Sequence, residues 1–187
     1  MRVGWDLDGV CYDFAESFRS YLHQMGTGHK MAGGEPDKWH FYRDWGMTDE
    51  EFSQYCHDGV DHGTIFGIGE PRENSQKAMK LVRDMGHTVH IITDRSFGSS
   101  PENSIKNTKN WLANWDYQYD TLTFSADKTC IPTDIFIEDK LENYDALFAA
   151  GVDVYLIDRP WNQDIGDSRN RISSVWEYVK IIETKSI

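Results

Sequence analysis

Arg2-Val3-Gly4-Trp5-Asp6-Leu7-Asp8-Gly9-Val10 stands at the start of the chain, and its reading decides the fold. Arg2 to Asp6 predicts a short strand with Val3 and Trp5 on one face, because side chains alternate along a strand. Asp6 and Asp8, one residue apart at the end of that strand, direct both carboxylates to the same edge. Gly9 then lets the backbone turn sharply away. One such acid can bind a metal and attack phosphorus while the other exchanges a proton with a leaving oxygen. Alone, the string also fits a solvated Asp-Gly turn, so the rest of the chain has to decide.

Four further runs, Thr88–Thr93, Thr121–Phe124, Ile135–Ile137 and Val154–Ile157, are short, apolar and rich in β-branched residues, as strands covered on both faces are. Helical patterns separate them. Ala78, Leu81, Val82 and Met85 recur at helical spacing, with Gly86 where a glycine stop belongs. Ser100-Pro101 reads as an N-cap followed by proline, opening a helix through Trp111 and Leu112. Tyr144, Leu147 and Phe148 share the face of another helix, closed by Gly151. Strands alternating with helices predict an α/β fold, a doubly wound parallel sheet that binds ligands at the carboxyl ends of its strands.

Residues 15–71 break this rhythm. They are rich in Trp, Tyr, Phe, His and Gly, with turns at Gly26, Gly28, Gly33 and Gly34 and a helix start at Thr48-Asp49-Glu50-Glu51. This stretch reads as a small, mostly helical inserted cap over a core formed by residues 1–14 and 72–187, the alternative being an irregular surface excursion.

A chain of 187 residues holds one sizeable core and a small appendage. The net charge of -12 argues against a duplex-DNA binder, which must neutralise phosphates with clustered cations. No apolar run approaches the roughly 20 residues that span a bilayer. Asp6 interrupts what would be the apolar stretch of a signal peptide, so a cytoplasmic protein is expected. Cys11, Cys56 and Cys130 are scattered and odd in number, as free thiols in a reducing compartment are. Cys11, beside the acid pair, is read as a small apolar residue rather than a reactive thiol. His40, His57 and His62 lack zinc spacing and receive no role. No oligomeric state follows from the sequence, although a homodimer is compatible with it.

The other strand ends carry the candidate chemistry. Thr93-Asp94-Arg95 closes the second strand, where a hydroxyl and free backbone N–H groups can hold a phosphate. Asp127-Lys128-Thr129 follows the third and offers a cation to phosphoryl oxygens. Ile137-Glu138-Asp139 closes the fourth; adjacent acids at the end of an apolar strand are costly unless a cation meets them. With Asp6 they form a carboxylate site suited to Mg²⁺, which keeps few protein ligands.

Acid pair, hydroxyl, lysine and acid pair at successive strand ends resemble the four signature elements of the haloacid dehalogenase superfamily. Within it, Asp6-Leu7-Asp8-Gly9-Val10 through Asp13-Phe14, Ala126-Asp127-Lys128-Thr129 and Ile137-Glu138-Asp139-Lys140 are similar to the 5'(3')-deoxyribonucleotidases. Glu138 replaces the aspartate usual in the last string. Thr93-Asp94-Arg95 replaces the usual Thr-Ser-Pro, a larger departure that keeps the phosphate hydroxyl and leaves open which substrate contacts are made beyond it. The resemblance implies Asp6 as nucleophile and Asp8 as general acid/base, with the Asp8 backbone carbonyl on the metal. It further implies phosphate binding by Thr93, charge neutralisation by Lys128, Asp139 completing a Mg²⁺ site that Glu138 supports, and Phe14 packing on a nucleobase.

Trp39, Phe41, Trp45 and Phe66 are candidate walls for a stacked base, or else the insert's own core. The expected substrate is a small-molecule phosphomonoester, a (deoxy)nucleoside monophosphate. The rivals are another small phosphoester such as a sugar phosphate, a phosphotransferase of the same superfamily, and a non-catalytic protein that keeps the fold.

Overall fold

The computed structural model describes residues 1–164 and 166–186. Among them, six parallel strands form one sheet in the order β3-β2-β1-β4-β5-β6. The strands are β1 (Arg2–Trp5), β2 (Thr88–Thr93), β3 (Thr121–Phe124), β4 (Ile135–Glu138), β5 (Asp153–Ile157) and β6 (Arg171–Ile172). The chain starts in the middle of the sheet and winds outward in both directions, so a crevice opens beside the carboxyl end of β1. Five of the strands are those read from the sequence. β6 was not anticipated; at two residues it is too short to show periodicity.

Alternation along the strands feeds two apolar layers. Val3, Trp5, Val89, Ile91, Ile135 and Ile137 face one, while Ile92, Phe136, Val154 and Leu156 face the other with Tyr144 and Leu147. The helices that cover them include α4 (Ser75–Asp84), α5 (Pro101–Asn114), α6 (Leu141–Ala149) and α7 (Val175–Lys185). Gly4 is required by contact: a Cβ there would stand 2.1 Å from the Phe136 ring. The Gly4 carbonyl accepts a hydrogen bond from Tyr178 Oη at 3.1 Å, tying α7 to the central strand. Two expected face residues are solvent-exposed, Leu81 in α4 and Phe148 in α6. Met79 takes the buried place on α4 that was expected of Leu81.

The inserted stretch carries α1 (Phe14–Gln24), α2 (Phe41–Asp44) and α3 (Asp49–Asp61) and no strand; residues 25–40 hold no regular element. It is therefore less helical than the sequence suggested. Asp13 caps α1 by accepting from Glu16 N at 2.9 Å, and Thr48 with Glu51 forms the capping box of α3. Phe18, Tyr21, Tyr42, Cys56 and Val60 of this segment belong to the same buried cluster as Trp5 and Val10. The insert thus shares its core with one face of the sheet.

Candidate active site

Strand register assembles the site. Trp5 pairs with Ile137, which sets Asp6 beside Glu138 and Asp139 at the carboxyl edge, and Asp6 N donates to the Ile137 carbonyl at 3.2 Å. Trp5 also pairs with Ile91, so Thr93 and the turn after it stand on the other side of the Asp6–Asp8 loop. The loop is closed by Cys11 N and Tyr12 N donating to the Leu7 carbonyl at 2.7 and 2.8 Å.

Lys128 reaches the centre from the turn after β3. Asp127 stiffens that turn by accepting from Thr129 N at 2.9 Å, and Lys128 Nζ donates to Asp6 Oδ1 at 2.6 Å and to the Ile92 carbonyl at 2.8 Å. Asp6, Glu138, Asp139 and Lys128 are all buried. Carboxylate oxygens of Asp6, Glu138 and Asp139 lie within 4.8 Å of one another. Burial first, and then the neighbouring acids, push the carboxyls of Asp6 and Asp139 up, against the pull of Lys128 on Asp6. Burial likewise lifts Glu138 to about 7. Burial alone would lower Lys128, but Asp6, Glu138 and Asp8 outweigh it and raise the ammonium to about 12.

Three buried acids facing one ammonium leave an excess of negative charge that a cation would relieve. Glu138 Oε1 accepts from the backbone N–H of Asp139 and Lys140, both at 3.1 Å, whereas its buried Oε2 has no hydrogen-bond partner. The donor set is all hard oxygen, which suits a divalent cation such as Mg²⁺. Glu138 is thus a full member of the acidic group. Trp161, in the turn after β5, donates its Nε1 to Asp139 Oδ2 at 2.9 Å and fixes that carboxylate. Nothing in the sequence reading pointed to Trp161, although Pro160-Trp161 follows an apolar strand to the same edge.

Above the acids lies a cavity of about 510 Å³. Asp6, Asp8, Lys128, Asp139, Phe14, Trp39, Phe41, Phe66 and Asp94 line it, all singled out from the sequence. Trp45 does not. It is 6% exposed, stacks on Phe18 with ring centroids 6.2 Å apart and lies under the Arg19 guanidinium, as part of the insert's core. Thr93 does not line the cavity either: it is fully buried, and its hydroxyl donates to Asp8 Oδ2 at the outer limit of 3.5 Å. Tyr12, Phe52, Arg72, Phe97, Lys140 and Trp161 join the lining unanticipated. Lys140 Nζ stands 5.2 Å from the Trp39 ring centroid, linking the end of β4 to the insert. Burial lifts the Cys11 thiol to about 12, in keeping with an inert small apolar residue.

An acid–lysine pair in a cluster of carboxylates, at the crevice of a doubly wound parallel sheet, defines a hydrolase of the haloacid dehalogenase type. Residues 1–186 match the family "5' nucleotidase, deoxy (Pyrimidine), cytosolic type C protein", and the chain belongs to that family of phosphoric monoester hydrolases. It is 28% identical over 169 residues to the "Putative 5'(3')-deoxyribonucleotidase" of Chlorobaculum tepidum, covering 89% of this chain and 83% of that protein. Two solved structures share the fold. One is a HAD-superfamily hydrolase, subfamily IA, variant 1, from Geobacter sulfurreducens, with TM-score 0.58, 15% identity, and 96% and 98% of the two chains covered. The other is Protein Tyrosine Kinase A of Mycobacterium tuberculosis, with TM-score 0.62, 13% identity, and 97% of each chain covered. No helix among the described residues is long and apolar enough to cross a membrane.

Proposed function

We propose that this protein dephosphorylates (deoxy)nucleoside monophosphates in the cytoplasm through an aspartyl-phosphate intermediate on Asp6. The observation that carries the reading is the Asp6 carboxylate, paired with Lys128 at 2.6 Å on the floor of an aromatic-walled cavity. Asp6 attacks phosphorus in line with the leaving oxygen, Asp8 protonates that oxygen, and Asp8 then takes a proton from the water that hydrolyses the acyl phosphate. Lys128, by charge, and Asp94, through its backbone N–H, are assigned to the phosphoryl group, while the buried Thr93 acts on Asp8 through its hydroxyl rather than on the phosphate. Asp6, Glu138 and Asp139, with the Asp8 carbonyl, would hold Mg²⁺. The ion supplies charge neutralisation for the phosphoryl oxygens.

Phe14, Trp39, Phe41 and Phe66 supply apolar surface for a base, which favours a nucleotide over a sugar phosphate. The family's description and the name of the Chlorobaculum tepidum relative support the same substrate class. Residues 15–71 are assigned as the cap that closes over the substrate. Phosphate release from a panel of deoxynucleotides, ribonucleotides and sugar phosphates, with Mg²⁺ and after exhaustive chelation, tests the reading. Turnover of deoxynucleoside monophosphates that chelation abolishes is expected; undiminished turnover after chelation, or preference for sugar phosphates, would overturn it.

A further inference from the structure

Arg95 departs from the pattern that the rest of the chain resembles, and it has no exposed side-chain surface. Each of its guanidinium nitrogens has a partner. Nε donates to Asp8 Oδ2 at 3.0 Å and Nη2 to Asp8 Oδ1 at 2.9 Å, a two-point fork on one carboxylate. Nη1 donates to Thr108 Oγ1 at 3.1 Å, anchoring the group to α5. The guanidinium carbon lies 4.6 Å from the ring centroid of Tyr12 and 4.4 Å from that of Phe66. Phe66, whose ring stands there, takes φ +65°, a left-handed conformation that residues with a side chain disfavour. Ser104 Oγ donates to the Arg95 carbonyl at 2.7 Å, which holds the backbone as well.

Burying an arginine this completely forfeits its hydration, and an apolar residue would pack between two rings without that cost. The side chain it meets is the acid assigned to proton transfer. A carboxylate oxygen accepts through two lone pairs, so the fork fixes the plane of Asp8; Oδ2 also accepts from Thr93 Oγ1 at 3.5 Å, and acceptor capacity is left on Oδ1. We propose that Arg95 is a positioning residue that holds the Asp8 carboxylate in the orientation from which it protonates the leaving oxygen. The inference rests on the phosphomonoesterase reading and on the acid/base role of Asp8.

Leaving-group chemistry tests it. A nucleoside alkoxide must be protonated as it departs; p-nitrophenolate leaves without a proton. Single-turnover release of nucleoside from a deoxynucleoside monophosphate, and of p-nitrophenolate from p-nitrophenyl phosphate, is measured for the wild type, Asp8→Asn, Arg95→Met and Arg95→Lys. Arg95→Met is expected to slow nucleoside release on the order of 10²-fold, within the range of a lost general acid, and p-nitrophenolate release by about twofold at most. Arg95→Lys keeps the charge but cannot make the fork, and shows the same selectivity more weakly. Should the methionine variant fail to fold, the lysine variant decides. Placed in the Asp8→Asn background, either change should slow nucleoside release further by no more than about twofold, because both act on one function. Equal slowing of both releases, or undiminished nucleoside release, overturns the positioning role. A wild type that releases neither product, or an Asp8→Asn variant that slows both equally, refutes the underlying reading and removes the inference with it.

Discussion

Gly9 shows how little latitude the site leaves a single residue. Its φ is +77°, and a Cβ there would stand 2.0 Å from Asp139 Oδ2. Gly9→Ala therefore meets both a left-handed backbone, unfavourable by roughly 1–2 kcal/mol, and a displaced carboxylate. Near-complete loss of phosphate release with a lowered melting temperature is expected; activity close to wild type would show that Asp139 can move without consequence. Asp6→Asn is isosteric yet cannot attack phosphorus, so turnover should vanish while circular dichroism stays unchanged. Asp8→Asn should reduce kcat on deoxynucleotides about 10²–10⁴-fold, the range for a lost general acid/base. The two acids were legible in the sequence because an i, i+2 pair at a strand end can face only one way. Arg95 was visible as a departure without a role. Its meaning depends on Tyr12, Phe66 and Thr108, which lie too far apart along the chain for local spacing to connect.

Elements explain why the two tryptophans of the insert differ. Trp39 is 47% exposed at the cavity, whereas Trp45 is 6% exposed and stacked on Phe18. Trp39→Ala should lower kcat/KM for a deoxynucleoside monophosphate roughly 10-fold or more, following the energy of a stacked base, and change p-nitrophenyl phosphate hydrolysis much less. Trp45→Ala should instead destabilise the fold by about 3–5 kcal/mol and damage both reactions alike. Reversed outcomes would exchange their roles. In the sequence the two were equivalent, since an aromatic segment without periodicity does not reveal which rings face inward. The central strands were legible because both of their faces are buried along most of their length, so short apolar runs such as Ile91-Ile92 and Ile135-Phe136-Ile137 stand out. The carboxyl-terminal helix α7 also had a signal: Val175, Tyr178, Val179 and Ile182 repeat at helical spacing after Ser174, which caps the helix by accepting from Glu177 N at 3.2 Å.

At the scale of the whole molecule, the site opposes the stability of the metal-free fold. Burial raises the carboxyl of Glu138 to about 7 and those of Asp6 and Asp139 in the same direction. Between their unfolded values near 4 and this range, the folded protein binds more protons than the unfolded chain, so stability falls as pH rises through that window. The carboxyls of Asp49, Asp61, Asp120 and Asp134 are held low by their hydrogen bonds, and stability drawn from them is lost only below the window. A divalent cation competes with the protons, so saturating Mg²⁺ should raise the melting temperature more at about pH 8 than at about pH 5. An equal gain at both would mean that the three acids do not hold the ion. The central claim, covalent catalysis by Asp6, is tested most directly in Asp8→Asn supplied with p-nitrophenyl phosphate. That ester phosphorylates Asp6 without needing an acid, while hydrolysis of the acyl phosphate lacks its base. A stoichiometric burst of p-nitrophenolate is expected, and borohydride reduction of the quenched protein should leave homoserine at position 6. Linear release without a burst, or reduction at any other carboxylate, would contradict it.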